Sequence, residues 1–269
     1  MHTWTLAVGP HRIRVSDSGP SASDSVPPLL LLNGLGANLE MWQPLRGRLG
    51  RRTVAFDLPG TGGSSTPVLP LSMTEDARLA VQILDALDIS AFDVLGFSFG
   101  GSVAQELARL VPDRVRRLVL VSASCGWGGL PGNPLALALI SSPLRYYSPA
   151  FFKAAAPVLV GGRGARDERF LARQARRRNE RPPSPLGYFY QLCAAMTWSS
   201  FSWLGTIRQP TLVLSGARDH VVPVANARLL VRLLPNARLH TWPEGGHLLL
   251  LDSAVQVAPE VQRFLDEAV

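Results

Sequence analysis

In the stretch FDVLGFSFGGSVAQELA, Phe92 to Ala108, a serine stands between glycines two residues away on either side. An apolar run precedes Ser98 and an alanine-rich amphipathic run follows it, the pattern of a strand that turns sharply into a helix. At such a turn Gly96 and Gly100 remove side chains that would collide, and the serine hydroxyl is pushed into the open. The helix N-terminus behind it favours developing negative charge. Serine is a poor nucleophile at neutral pH, so this presentation has a chemical use only with a base and an acid to orient that base.

Five histidines are candidates for the base. His2 and His11 sit near the N-terminus, His240 lies inside a strand pattern, and His220 directly follows an aspartate in a loop. His247, in PEGGHLLLLDS, lies in a glycine-bearing loop between the last strand pattern and the last helix, where it can reach the edge of the sheet that holds Ser98. The acid should follow a late strand, and TLVLSGARDHVVP offers Asp219 there. The other position for such an acid, after the sixth strand, reads VSASCG and has no carboxylate. Ser98, Asp219 and His247 then stand in the chain order this architecture uses. Asp57, in FDLPGTGGSS, also ends a strand and is read as a turn-forming residue that could line the site. An acyl-transfer transition state needs donors for its oxyanion. The backbone N–H of Phe99, next to the serine, is one. The N–H of Leu35 in LLNGLGANLEMW is the other, with Gly34 and Gly36 allowing close backbone approach.

The elements that must position these groups alternate between strand and helix signals over the first ~120 residues, which argues for a largely parallel sheet covered on both faces. HRIRVSDSG alternates as a half-exposed strand does, and PPLLLLNG, RTVAFDLPG, FDVLGF and RVRRLVLVS are short apolar runs ended by turn residues. Ser72 to Leu87 reads as a helix, with Ser72 and Glu75 forming a capping box. From Cys125 to Gly205 the alternation is lost in a segment rich in Pro, Gly, Arg and aromatics. It resumes with QPTLVLSG, a helix from Val224 to Leu234, ARLHTW and a final helix from Ser253 to Glu267. The expected organisation is one α/β core, residues 1–124 and 206–269, with residues 125–205 inserted as a helical cap after the sixth strand.

Composition narrows the setting. With 46% hydrophobic and 17% charged residues, the chain can build a sizeable core. Its net charge of +7 is carried almost wholly by arginine, Lys153 being the only lysine. This skew is read as base composition, and no nucleic-acid partner is expected. The arginine-rich segment Gly162 to Pro183 also carries Asp167, Glu168 and Glu180 and is read as a solvated helix face. Two cysteines make no disulfide framework. No secretory signal pattern or ~18-residue apolar run is present, so the expectation is a cytoplasmic protein without a transmembrane segment. There is no His-Glu-x-x-His motif, no paired cysteine and no phosphate loop, so neither a metal nor a cofactor is expected.

The chain resembles the α/β-hydrolase superfamily throughout, and within it the intracellular depolymerases of medium-chain-length polyhydroxyalkanoates. LLNGLGANLEMWQPL, FDLPGTGGSSTP, SPLRYYSP, GYFYQLCAAMTWSSFSWL and QPTLVLSG carry that likeness. The resemblance implies an α/β-hydrolase fold with a mostly parallel eight-stranded sheet. It places Ser98, Asp219 and His247 at the catalytic positions. Asn33 and Gly34, where most of the superfamily has His-Gly, fit the same family. With the cap residues Trp198 and Trp203, they are expected to line the substrate pocket. One departure is Phe99, where the family has Trp. The implied activity is hydrolysis of 3-hydroxyacyl ester bonds through an acyl-enzyme, with an ester substrate and a polyester granule surface as partners. The alternative is a small-molecule carboxylesterase, lactonase or thioesterase of a biosynthetic pathway.

Overall fold

The structure, a computed structural model, describes residues 2–19 and 26–267. Its centre is a single eight-stranded sheet in the order β1-β2-β4-β3-β5-β6-β7-β8. The strands are β1 (His2–Val8), β2 (His11–Asp17), β3 (Leu29–Leu32), β4 (Thr53–Phe56), β5 (Phe92–Phe97), β6 (Val115–Val121), β7 (Thr211–Gly216) and β8 (Ala237–Trp242). β2 runs antiparallel to β1 and β4, and every other pairing is parallel. The central strands β3, β4, β5 and β7 are buried along their whole length, as a sheet covered on both faces requires. Period-two alternation divides the side chains of β3, β5 and β6 between two cores. Leu30, Leu32, Val94 and Leu120 enter one, and Leu29, Leu31, Leu95 and Val121 the other.

Between β3 and β6 the helices are α1 (Gln43–Arg46), α2 (Met73–Asp85) and α3 (Phe99–Leu110). The capping box read from the sequence is present: the Glu75 N–H donates to Ser72 Oγ and the Ser72 N–H to Glu75 Oε2. Between β6 and β7 the strand–helix rhythm gives way to α4 (Pro134–Ile140), α5 (Leu144–Tyr147), α6 (Pro149–Leu159), α7 (Glu168–Glu180) and α8 (Pro185–Thr197). Side-chain caps from Asn133, Ser148, Asp167 and Ser184 start four of these five helices, which accounts for their start points in a segment with no strand pattern. The sheet resumes with β7, α9 (Val224–Leu233) and β8. The short α10 (Leu249–Asp252) and α11 (Ala254–Asp266) close the fold. Among the described residues no helix is long and apolar enough to cross a membrane.

The inserted helices are moored over the C-terminal edge of the sheet by polar contacts. The Gly36 N–H donates to Gln191 Oε1 at 2.8 Å, and the Tyr146 hydroxyl donates to the Leu35 carbonyl at 2.5 Å. Both bonds end on the loop after β3, which the sequence singles out for oxyanion donors.

Candidate active site

Ser98 sits at the N-cap of α3 with φ +52° and ψ −116°, a left-handed conformation rare for any residue but glycine. Holding a serine there costs about 1–3 kcal/mol, supplied by the surrounding fold. The packing leaves no choice at the flanking positions. A Cβ on Gly96 would come within 2.3 Å of the Gly100 carbonyl oxygen, and one on Gly100 within 2.1 Å of the Leu32 carbonyl oxygen. The turn is therefore wedged between β3 and β5, and the Ser98 N–H is tied to the Val121 carbonyl at 2.9 Å.

His247 lies in the loop after β8. Its N–H donates to the Val160 carbonyl at 2.7 Å, and its own carbonyl accepts from Ser122 Oγ at 3.2 Å. Its Nδ1 is 2.8 Å from Asp219 Oδ2, with both side chains buried. Asp219, in the loop after β7, uses its other oxygen twice: Oδ1 accepts the N–H groups of Val221 and Val222 at 2.9 and 2.8 Å. With Oδ2 facing the ring, Nδ1 carries the proton and Nε2 is left as a base. His247 packs against Phe97, ring centroids 5.2 Å apart, and lines the same small cavity as Ser98.

Two N–H groups near Ser98, those of Leu35 and Phe99, have no acceptor among the described residues. Leu35 is fixed from behind, because its carbonyl also accepts from Arg145 at 3.2 Å. Gly36, at φ +71°, lets the loop pass under the Tyr188 ring, only 2.7 Å from where a Cβ would stand. Asp57 belongs to a different task. It lines neither cavity at the site, and its carboxylate accepts the N–H groups of Leu39 and Gly63 and pairs with Arg14. Burial pushes its pKa up to about 6 against those bonds. It braces the loops beside the site.

Two cavities meet at Ser98. The smaller, about 30 Å³, is lined by Gly34, Leu35, Ser98 and His247 of the core and by Arg145, Tyr146 and Arg178 of the insertion. The larger, about 640 Å³, runs past Phe99, Ser102, Leu137, Leu192 and Trp198 to an apolar mouth at Trp127 and Met196. Trp198 thus lines a cavity, held there by its indole N–H on Glu106 Oε1 at 2.8 Å. Trp203 lines neither cavity. The chain turns away after α8, and its indole lies under the Arg109 guanidinium, 4.9 Å from the ring centroid, with its N–H on the Ser199 carbonyl. Gly34 borders the smaller cavity. Asn33 is buried just behind it, outside both cavities, with its Nδ2 lacking an acceptor among the described residues.

The sequence reading missed Arg145, Arg178 and Gln191. The arginine-rich segment does form a helix with a solvated face, but Phe170, Leu171, Gln174, Ala175 and Arg178 form its buried stripe. The 3.6-residue spacing of those apolar positions was a signal that Arg178 turns inward.

An elbow serine, a buried His–Asp pair and two N–H groups without an acceptor among the described residues thus meet at the C-terminal edge of a mostly parallel sheet. The profile of the Alpha/beta hydrolase family matches residues 29–260, and the chain belongs to that family. It is 41% identical over 242 residues to a poly(3-hydroxyalkanoate) depolymerase of Ectopseudomonas oleovorans, covering 89% of this chain and 84% of that one. It is 32% identical to a pimeloyl-[acyl-carrier protein] methyl ester esterase of Aromatoleum aromaticum, covering 82% and 91%. Among solved structures it superposes on an esterase from Exiguobacterium antarcticum with a TM-score of 0.83 at 22% identity, covering 99% of this chain and all of that one.

Proposed function

We propose that the chain is a serine ester hydrolase that cleaves 3-hydroxyacyl esters with medium-length side chains, acting as a polyhydroxyalkanoate depolymerase. The His247 Nδ1–Asp219 Oδ2 contact of 2.8 Å beside Ser98 carries the chemical part of this reading. Ser98 Oγ attacks the ester carbonyl and His247 Nε2 takes its proton, while Asp219 holds the tautomer and stabilises the imidazolium. The carbonyl oxygen becomes an oxyanion between the Leu35 and Phe99 N–H groups, donors worth about 3 kcal/mol each. Nε2 then returns the proton to the leaving alcohol oxygen. Water repeats the cycle on the acyl-enzyme, giving the acid and free Ser98.

The inserted helices act as the cap, residues 125–205, and Trp127, Leu137, Leu192 and Trp198 of that segment wall part of the larger cavity. Its apolar lining and its volume of about 640 Å³ suit a medium-length acyl chain. The relationship to the Ectopseudomonas depolymerase supports the polyester as substrate. The test is turnover of a medium-chain polyhydroxyalkanoate emulsion beside p-nitrophenyl esters of four and eight carbons, with Ser98→Ala as blank. Release of hydroxyacids from the emulsion, absent with Ser98→Ala, is the expected result. Hydrolysis of the small esters alone would move the substrate to a small ester, lactone or thioester.

A further inference from the structure

A buried guanidinium loses several kcal/mol of hydration unless an anion or a full set of acceptors meets it. Arg51 has Asp93 and Asp266, and Arg46 donates to Ser16 and Thr53. Arg145 and Arg178, 6% and 4% exposed, have no carboxylate within ion-pair distance among the described residues. Arg145 donates to the Ile140 and Leu35 carbonyls and to the Tyr188 hydroxyl. Arg178 is less provided for. Its guanidinium stacks on the rings of Tyr146 and Phe152, at 5.0 and 4.8 Å, and its Nε has no acceptor among the described residues. Both cations line the small cavity that holds Ser98 and His247. Two positive charges therefore line the cavity of the reacting atoms with no carboxylate within ion-pair distance among the described residues, one of them with a donor unused.

The side of the ester they face follows from the proton path. The leaving oxygen takes its proton from His247, which lines the small cavity and not the large one. The alcohol fragment therefore departs on the side of the arginines, and the acyl fragment occupies the larger cavity. We propose that Arg178, backed by Arg145, binds a carboxylate on the alcohol side of the scissile ester, so that the preferred substrate is a β-acyloxy carboxylate. For a hydroxyacyl oligomer this is the last ester at the carboxyl end. The reaction is R–CO–O–CHR′–CH2–COO⁻ plus water giving R–COOH and HO–CHR′–CH2–COO⁻. The acyl C–O bond breaks, the water oxygen joins the acyl carbon, and one proton goes to the leaving oxygen. Only two carbons separate that oxygen from the carboxylate, a reach short enough for the carboxylate to meet the arginines of the cavity that opens at Ser98. The direction of cleavage rests on the serine-hydrolase reading; the anion site rests on the arginines alone.

The experiment compares the dimer 3-(3-hydroxyoctanoyloxy)octanoate with its methyl ester, in the wild type, Arg178→Met and Arg178→Lys. In the wild type kcat/KM should favour the free acid by about 10- to 100-fold, the range of a hydrogen bond to a charged group. Arg178→Met should bring that ratio near one, and Arg178→Lys should restore part of it. A second arm follows p-nitrophenyl octanoate hydrolysis by the wild type, where 3-hydroxyoctanoate should inhibit competitively and its methyl ester should not. Equal rates on acid and methyl ester in the wild type, or a ratio unmoved in a folded Arg178→Met, would overturn the proposal. If neither dimer is cleaved while the p-nitrophenyl ester is, the hydroxyacyl substrate is wrong. The inhibition arm then decides the anion site alone, and it needs no variant to fold.

Discussion

Asp219→Asn isolates what the carboxylate does for His247. The amide can place its oxygen in only one of two positions. With the oxygen at the Oδ1 position, the Val221 and Val222 bonds survive and the NH₂ faces Nδ1. Nδ1 must then accept, the proton moves to Nε2, and the ring can no longer act as base toward Ser98. With the amide flipped, the correct tautomer returns, but the NH₂ meets two backbone donors that lose their acceptor. Leaving each of those donors unsatisfied costs about 1–3 kcal/mol. The flipped form is therefore disfavoured by about 2–6 kcal/mol, and turnover should fall by about 30-fold to 10⁴-fold. The assay is the initial rate of p-nitrophenyl octanoate hydrolysis at pH 8, with circular dichroism to confirm the fold. A folded Asp219→Asn that keeps more than a third of the wild-type rate would refute the claim that Asp219 sets the tautomer of His247.

The Asp76 carboxyl is buried on α2 with no hydrogen bond or ion pair among the described residues, and burial followed by repulsion from Glu75 pushes its pKa up to about 8. With its folded pKa above the unfolded value near 3.9, the stability it contributes is full below about pH 4 and is lost as pH rises to about 8. Asp76→Asn should therefore melt higher than the wild type at pH 9, by at most ~5 kcal/mol of stability, and the gap should narrow toward pH 5. Thermal melts across that range that stay parallel would contradict it. Gly100→Ala should lose both soluble yield and activity, because its methyl would meet the Leu32 and Asn33 carbonyl oxygens at 2.1 and 2.6 Å; a stable, active variant would show that the elbow is not wedged. Leu192→Trp narrows the larger cavity, so the preference for eight-carbon over four-carbon p-nitrophenyl esters should fall about tenfold. An unchanged preference would place the acyl chain elsewhere.

Much of this was written locally in the chain. The strand runs, the Ser72 capping box and the elbow glycines each act within a few residues, so pattern and turn chemistry suffice to read them. The pairing of Asp219 with His247 is also legible, because each follows a strand whose position in the sheet decides what its loop can reach. The residues that escaped depend on contacts across the insertion. Arg178 is surrounded in sequence by solvated arginines; its place on the buried stripe of α7 shows in the spacing, but its packing against Tyr146 and Phe152 is made across the insertion. Trp203, expected at the pocket, is carried out of it by the turn after α8, which five residues of spacing from Trp198 do not reveal. Asp57 ends a strand at the sheet edge as a catalytic acid would. Its three partners, Arg14 on β2, Leu39 after β3 and Gly63 in its own loop, make it a brace instead.

The central claim is that Ser98 forms the acyl-enzyme, and labelling with an alkyl fluorophosphonate tests it most directly. The wild type should gain one adduct, mapped by peptide mass spectrometry to Ser98, with loss of ester turnover in proportion to labelling. Ser98→Ala should gain none. An adduct on another residue, or equal labelling of Ser98→Ala, would contradict the account.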